Sequence, residues 1–231
     1  VIGLNLYGRY LCFRLGWRIK DNFMLIYWVM LAISSVAALS TTKYHRHVTD
    51  LTWFIVALLF IVIIGFRWEV GRDWSTYYMY FGDSYGVTLH EWLVRTHFED
   101  SAYTLLNWIA ANSGLSFYAV NLICAAIFVA GLFSFCRKQP EPWLALAVAT
   151  PILVIIVAMG YTRQSAAVGI IFFALEALLQ KSLLRFVFFI ALATVFHKSA
   201  ILLAPFGILA NTSRRLWIFF LLLILAALFF K

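Results

Sequence analysis

Between Arg67 and Asp73 the segment "GFRWEVGRDWSTYY" holds two arginines and two carboxylates, Glu69 and Asp73, with Arg72 between them and Tyr77 just beyond. Further along, "AMGYTRQSAAVGI" sets Arg163 and Gln164 between apolar stretches, and "FHKSAILLAPF" does the same with His197 and Lys198. Fixed arginines suit phosphate or pyrophosphate, because the planar fork donates in pairs and stays charged. A carboxylate near them can act as general base towards a sugar hydroxyl. Aromatic rings add flat apolar faces for sugars.

Each group also has a plainer reading. The loop charges can pair with one another, Arg163 can be a side chain snorkelling to head-group level, and a His and a Lys can simply end a span. In "THFEDSAYTLLNWIA", Glu99 and Asp100 precede a helix marked by Leu105, Leu106 and Ile109, and are expected to cap its N-terminus. Asp83, His90, Glu91, Arg95 and His97 show no metal spacing and read mostly as solvated. The chain has no phosphate-binding glycine loop, HExxH or nucleophile-elbow serine. Its three cysteines, Cys12, Cys124 and Cys136, lack ligand or redox spacing and read as small core residues.

The elements that must position these residues are set by a composition of 64% hydrophobic and only 12% charged residues, with a mean hydropathy of +0.91. Soluble domains carry about a quarter charged residues, so a water-soluble fold is excluded for want of a polar surface. The expected fold is all-α and polytopic, with about six to eight transmembrane helices. Clear runs are Phe23 to Leu39, Leu51 to Phe66, Phe117 to Phe135, Trp143 to Met159, Ala166 to Leu179 and Leu216 to Phe230. Residues 183–196 and 200–210 are short runs, read as two cramped spans or one re-entrant or broken helical pair.

Orientation follows from the cations, which favour short cytoplasmic loops. Lys43 with Arg46, Arg137 with Lys138, Lys181 with Arg185, and Arg214 with Arg215 mark one side. The long loop 67–112, Arg163, and His197 with Lys198 then face the other. Glu176 is expected near the cation-rich end, beside Lys181. Residues 1–22 form a basic segment with Arg9, Arg14, Arg18 and Lys20 that breaks the rule. Either a basic amphipathic helix, its arginines alternating with Tyr10, Phe13 and Trp17, or a mis-called start is expected there, the latter favoured since Met24 opens the first run. Residues 23–231 are expected to be one membrane domain, with further C-terminal sequence beyond Lys231.

The segments at 65–78, 105–110, 158–170 and 196–206, in this order, resemble the EpsG family of bacterial exopolysaccharide proteins, related in role to Wzy-type polymerases. The resemblance runs over most of the chain from Met24. It implies a multi-pass enzyme of the bacterial inner membrane that lengthens a surface polysaccharide from polyprenyl-pyrophosphate-linked sugars, with its site facing the periplasm or exterior. No cofactor, metal or nucleic acid is implied. The implied partners are the lipid-linked glycan, membrane lipid and other export or chain-length proteins. The family's positions fall on Arg67, Asp73, Tyr77, Arg163, His197 and Lys198, whereas "EDSAY" departs from the family's pattern at Asp100.

On this reading Arg163 and Arg67 hold the pyrophosphate, with Arg72, Gln164, Tyr77 and Lys198 as further substrate contacts. Asp73 takes the acceptor's proton, Glu69 is its reserve, and His197 is an alternative base. Two rivals stay open: a flippase or transporter for lipid-linked oligosaccharides, and a membrane acyltransferase that decorates the glycan with His197 as base.

Overall fold

A computed structural model of the chain describes residues 24–40, 46–95 and 100–210. Among them there is no strand. The membrane-type helices are α1 (Met24–Leu39), α2 (Arg46–Gly65), α6 (Phe117–Arg137), α7 (Pro142–Ala149), α8 (Thr162–Leu179) and α9 (Leu183–Phe196). Shorter helices α3 (Trp74–Gly82), α4 (Leu89–Arg95) and α5 (Ser101–Asn112) lie between α2 and α6, and α10 (Ala204–Ala210) follows α9.

Five of the six clear apolar runs fall on helices, because only an intra-segment hydrogen-bond ladder satisfies a backbone buried among apolar side chains. The sixth, Leu216 to Phe230, lies outside the described residues, as does the basic segment 1–22. Among the described residues two helices, α6 and α8, have the length and hydropathy of a full crossing, and α1, α2, α7 with its continuation, and α9 are shorter apolar helices. The fourteen residues of α9 rise only about 21 Å at 1.5 Å each, less than the ~30 Å hydrocarbon core. The expected six to eight spans therefore stand at two full-length helices and four shorter ones among the described residues.

Helix α6 is central, with α2 against one side and α8 against the other. Phe60 and Ile64 of α2 join Phe128 and Leu132 of α6 in one core. On the opposite side Gly131 of α6 meets Gly169 of α8 backbone to backbone, and a Cβ on either would overlap the other helix's main chain. Small residues at such crossings let helices associate by close van der Waals contact, where lipid gives no hydrophobic drive between them. The outward faces carry exposed Phe54, Ile55, Leu58, Leu184 and Phe188, the pattern of a surface solvated by lipid.

After α7 the helix widens into a π-helical turn over Thr150–Ala158. Pro151 explains the change, because proline lacks an N–H and clashes with the carbonyl four residues back. Thr150 covers part of the disturbance, donating to Leu146 O at 2.8 Å and lying 3.3 Å from Ser34 Oγ of α1.

The long loop is mostly helical. Its entry turns on two left-handed residues, Glu69 (φ 51°) and Gly71 (φ 97°). Gly71 is seated against the α7–α8 connection, where a Cβ would lie 2.7 Å from Gly160 O. A second core then joins Tyr77, Phe81, Tyr103 and Phe117 to Ala166 and Ile170 of α8 and Phe196 of α9. Past α9, a 3₁₀ turn at Lys198–Leu203 leads into α10, which folds back so that Gly207 packs on Phe186 and Leu183. The pair at 183–210 is thus a helical hairpin with His197 and Lys198 at its tip.

Candidate functional site

The centre of the site is Asp100, a residue the sequence marks only as a helix cap. It sits at the N-cap of α5 in a left-handed conformation (φ 51°) and makes no side-chain cap bond. This corrects the capping expectation for Asp100, whose carboxylate turns to partners outside its own helix, while Glu99 lies outside the described residues. Its Oδ2 accepts from Arg163 Nη1 at 2.7 Å, and its Oδ1 accepts from the Lys198 backbone N–H at 3.2 Å. His197 Nδ1 lies 3.4 Å from the same Oδ1. The Asp100 side chain is 7% exposed, against 25% for Arg163 and 26% for His197. A buried carboxylate thus underlies two partly open cationic or basic groups.

Local structure explains each placement. Tyr161 is extended, so α8 begins at Thr162 and Arg163 occupies its first turn. His197 is extended as well (φ −155°, ψ 118°), which ends α9 and sets the Lys198 N–H at the start of the 3₁₀ turn, where it donates to Asp100. Tyr77 and Tyr80 of α3 face the Arg163 guanidinium, whose carbon lies 5.4 Å and 5.5 Å from their ring centroids. Arg163 Nε has no hydrogen-bond partner among the described residues. Burial raises the Tyr77 pKa, so the phenol stays neutral at ordinary pH. Tyr103, packed edge-on against Tyr77, is raised for the same reason.

Arg67 stands apart from this cluster. Only 3% exposed, it donates to Ile64 O at 3.3 Å, to Ala158 O at 2.8 Å and to Thr162 Oγ1. It closes the ends of α2 and the π-helical turn and ties them to the start of α8, satisfying carbonyls that helix ends leave open. Arg72 is exposed and lines a shallow pocket of about 210 Å³ with Tyr27, Gly160 and Tyr161. Glu69 is exposed, and Asp73 is half-buried at the N-cap of α3. Among the described residues no hydrogen bond or ion pair joins either acid to Asp100, Arg163 or His197. Gln164 is partly exposed next to Arg163, and the Lys198 side chain is exposed.

Of the expected site residues, the structure therefore gathers Tyr77, Arg163, His197 and Lys198, and adds Asp100 and Tyr80. Asp100 was hidden because an acid before a helix carries the same sequence signal whether it caps or reaches elsewhere. Thr162 was hidden because nothing local marks a threonine as an arginine's partner. Among the described residues no group of three or more His, Cys, Asp or Glu could hold a metal ion.

At the opposite end of the bundle, Asp50 pairs with Arg137 and Glu176 with Lys138. Glu176 does lie at the cation-rich end, but its partner is Lys138 of the α6 C-terminus.

The sequence matches the EpsG family over residues 50–231. Comparisons with curated proteins and with solved structures give no match. The matched range holds every residue of the Asp100 cluster and most of the chain, so the protein belongs to the EpsG family, a family of membrane proteins associated with polysaccharide biosynthesis.

Proposed function

We propose that this protein is a polysaccharide polymerase that transfers a glycan from a polyprenyl-pyrophosphate carrier to a hydroxyl of a lipid-linked repeat, on the outer face of the inner membrane. The observation that carries this reading is the convergence of Arg163, His197 and the Lys198 N–H on one buried carboxylate. Family membership and the apolar helices support the setting.

In the displacement, the acceptor oxygen forms a bond to the anomeric carbon as the bond from that carbon to the pyrophosphate oxygen breaks, the electron pair leaving with the pyrophosphate. Negative charge grows on the departing group. Arg163, held in place by Asp100 and by two tyrosine faces, is placed to meet that charge without reorganising, and the Lys198 ammonium adds to it. His197 turns Nδ1 towards Asp100, leaving Nε2 to receive the hydroxyl proton. Asp100 is then a positioning residue for both groups. Asp73 and Glu69 are assigned no proton transfer, and Arg67 holds helices together and leaves the pyrophosphate to Arg163.

The test uses a strain lacking its own copy of the gene. Wild type and Arg163→Ala are expressed at matched membrane abundance, and the lengths of lipid-linked and surface glycan are compared. Long chains with wild type, and accumulated single repeats with the variant, are expected. Failure of wild type to add length sinks the polymerase reading. A change in mass per repeat at constant length points instead to an acyltransferase using the same imidazole.

A further inference from the structure

Beside the Asp100 cluster, helices α3, α4 and α5 enclose a groove of about 360 Å³ that the reaction chemistry does not use. The rings of Tyr80 and Trp92 line it, together with Asp83, Ser84 and Thr104. Asn107 also lines it while being only 1% exposed. Its amide is oriented without ambiguity: Nδ2 donates to Tyr103 O at 2.8 Å, a contact the amide oxygen could not make. Oδ1 is left buried with no hydrogen-bond partner among the described residues. That oxygen is closed to solvent, so Asn107 contributes to the groove's wall and not a contact to its ligand.

The lining also selects the ligand. Asp83 disfavours an anion, and among the described residues no Lys or Arg lines the groove. Two aromatic residues with a carboxylate and two hydroxyls match a ligand that is apolar on its ring faces and rich in hydroxyls at its edge. That is a neutral pyranose. The volume falls within the range of small-ligand clefts, about 300–1,000 Å³. Tyr80 is shared, since it both lines the groove and faces Arg163 at 5.5 Å.

We infer that this groove is the acceptor subsite, binding neutral sugar residues of the repeat so that the next hydroxyl is presented to His197 beside Arg163. The inference rests on the polymerase reading for its catalytic meaning, but sugar binding in the groove stands without it.

The full chain is reconstituted in liposomes with lipid-linked repeats purified from the gene-deleted strain, and elongation is followed against repeat concentration. Trp92→Ala is expected to raise the half-saturating concentration about tenfold, with the maximal rate held within about twofold, because a lost stacking face weakens binding rather than the chemical step. Trp92→Phe restores most of the affinity. Asp83→Asn, at an exposed position, gives a smaller rise and covers the case in which Trp92→Ala does not fold.

Unchanged half-saturation in both Trp92→Ala and Asp83→Asn overturns the subsite. A second readout separates the two proposals: the repeat oligosaccharide, freed from its lipid by mild acid, is tested for saturation transfer from the reconstituted protein. Transfer that is lost in Trp92→Ala supports the groove even if wild type never elongates a chain, in which case only the polymerase reading falls. No transfer with wild type overturns the subsite.

Discussion

The two ends of the helix bundle use the same chemical groups in opposite ways. At one end Arg137 meets Asp50, both about half exposed, and Lys138 meets Glu176, whose carboxylate is buried; each acid has its own single cation. At the other, a single carboxylate only 7% exposed receives Arg163, the Lys198 N–H and the neighbourhood of His197. An exposed pair such as Asp50 with Arg137 contributes about 0–1 kcal/mol and is screened by salt. A shared, buried carboxylate cannot lose a partner so cheaply. The difference teaches that charge at a bundle end is staple or site according to whether it is dispersed or converges.

The largest test of that contrast is Arg163→Ala, expected to lower elongation by about a hundredfold or more, the usual cost of losing a preorganised charge at a transition state. Protein abundance and thermal unfolding in detergent should change far less than the rate. A loss of folding equal to the loss of rate would place Arg163 with the staples. Asp100→Asn follows, keeping shape while removing the charge that holds Arg163; its rate should fall by about tenfold, and Asp100→Glu should recover part of it.

Arg67→Met should behave in the reverse sense. Removing a guanidinium that satisfies two carbonyls and a hydroxyl is expected to cost about 3 kcal/mol of stability, seen as a lower unfolding temperature, while the molecules that remain folded keep their turnover. Normal stability with abolished turnover would return Arg67 to the substrate site. The smallest effect is expected for Asp50→Asn, within about 1 kcal/mol of wild type, with any difference vanishing in high salt. A larger loss there would break the distinction between the ends.

Much of this architecture can be read from the residues. The apolar runs locate α1, α2, α6, α8 and the α7 segment to within a few positions, because hydropathy is a local property. Arg163 and His197 stand out for the same reason, as polar groups interrupting such runs. What escapes is depth and direction. Arg67 and Arg163 carry equal charge and similar flanks, yet the fold turns Arg67 inward, 3% exposed, and leaves Arg163 at the mouth. Asp100 escapes because its partners, Arg163 and the Lys198 N–H, lie 63 and 98 residues further along the chain. The shift to a π-helical turn has a visible cause in Pro151, whereas its extent to Ala158 has no local marker.

The seating of Gly71 has a consequence for how such a protein can diversify. Since the loop is anchored there by main chain against main chain, its height above the bundle does not depend on which side chains flank the glycine. Arg72, exposed, is therefore a position where substitutions can accumulate with little effect on the ladder from Arg67 to Thr162 or on the groups around Asp100, whereas Trp68 packs edge-on against Trp74 and Glu69 holds a left-handed backbone. One turn of chain thus sets an editable exposed position beside a backbone that tolerates little change.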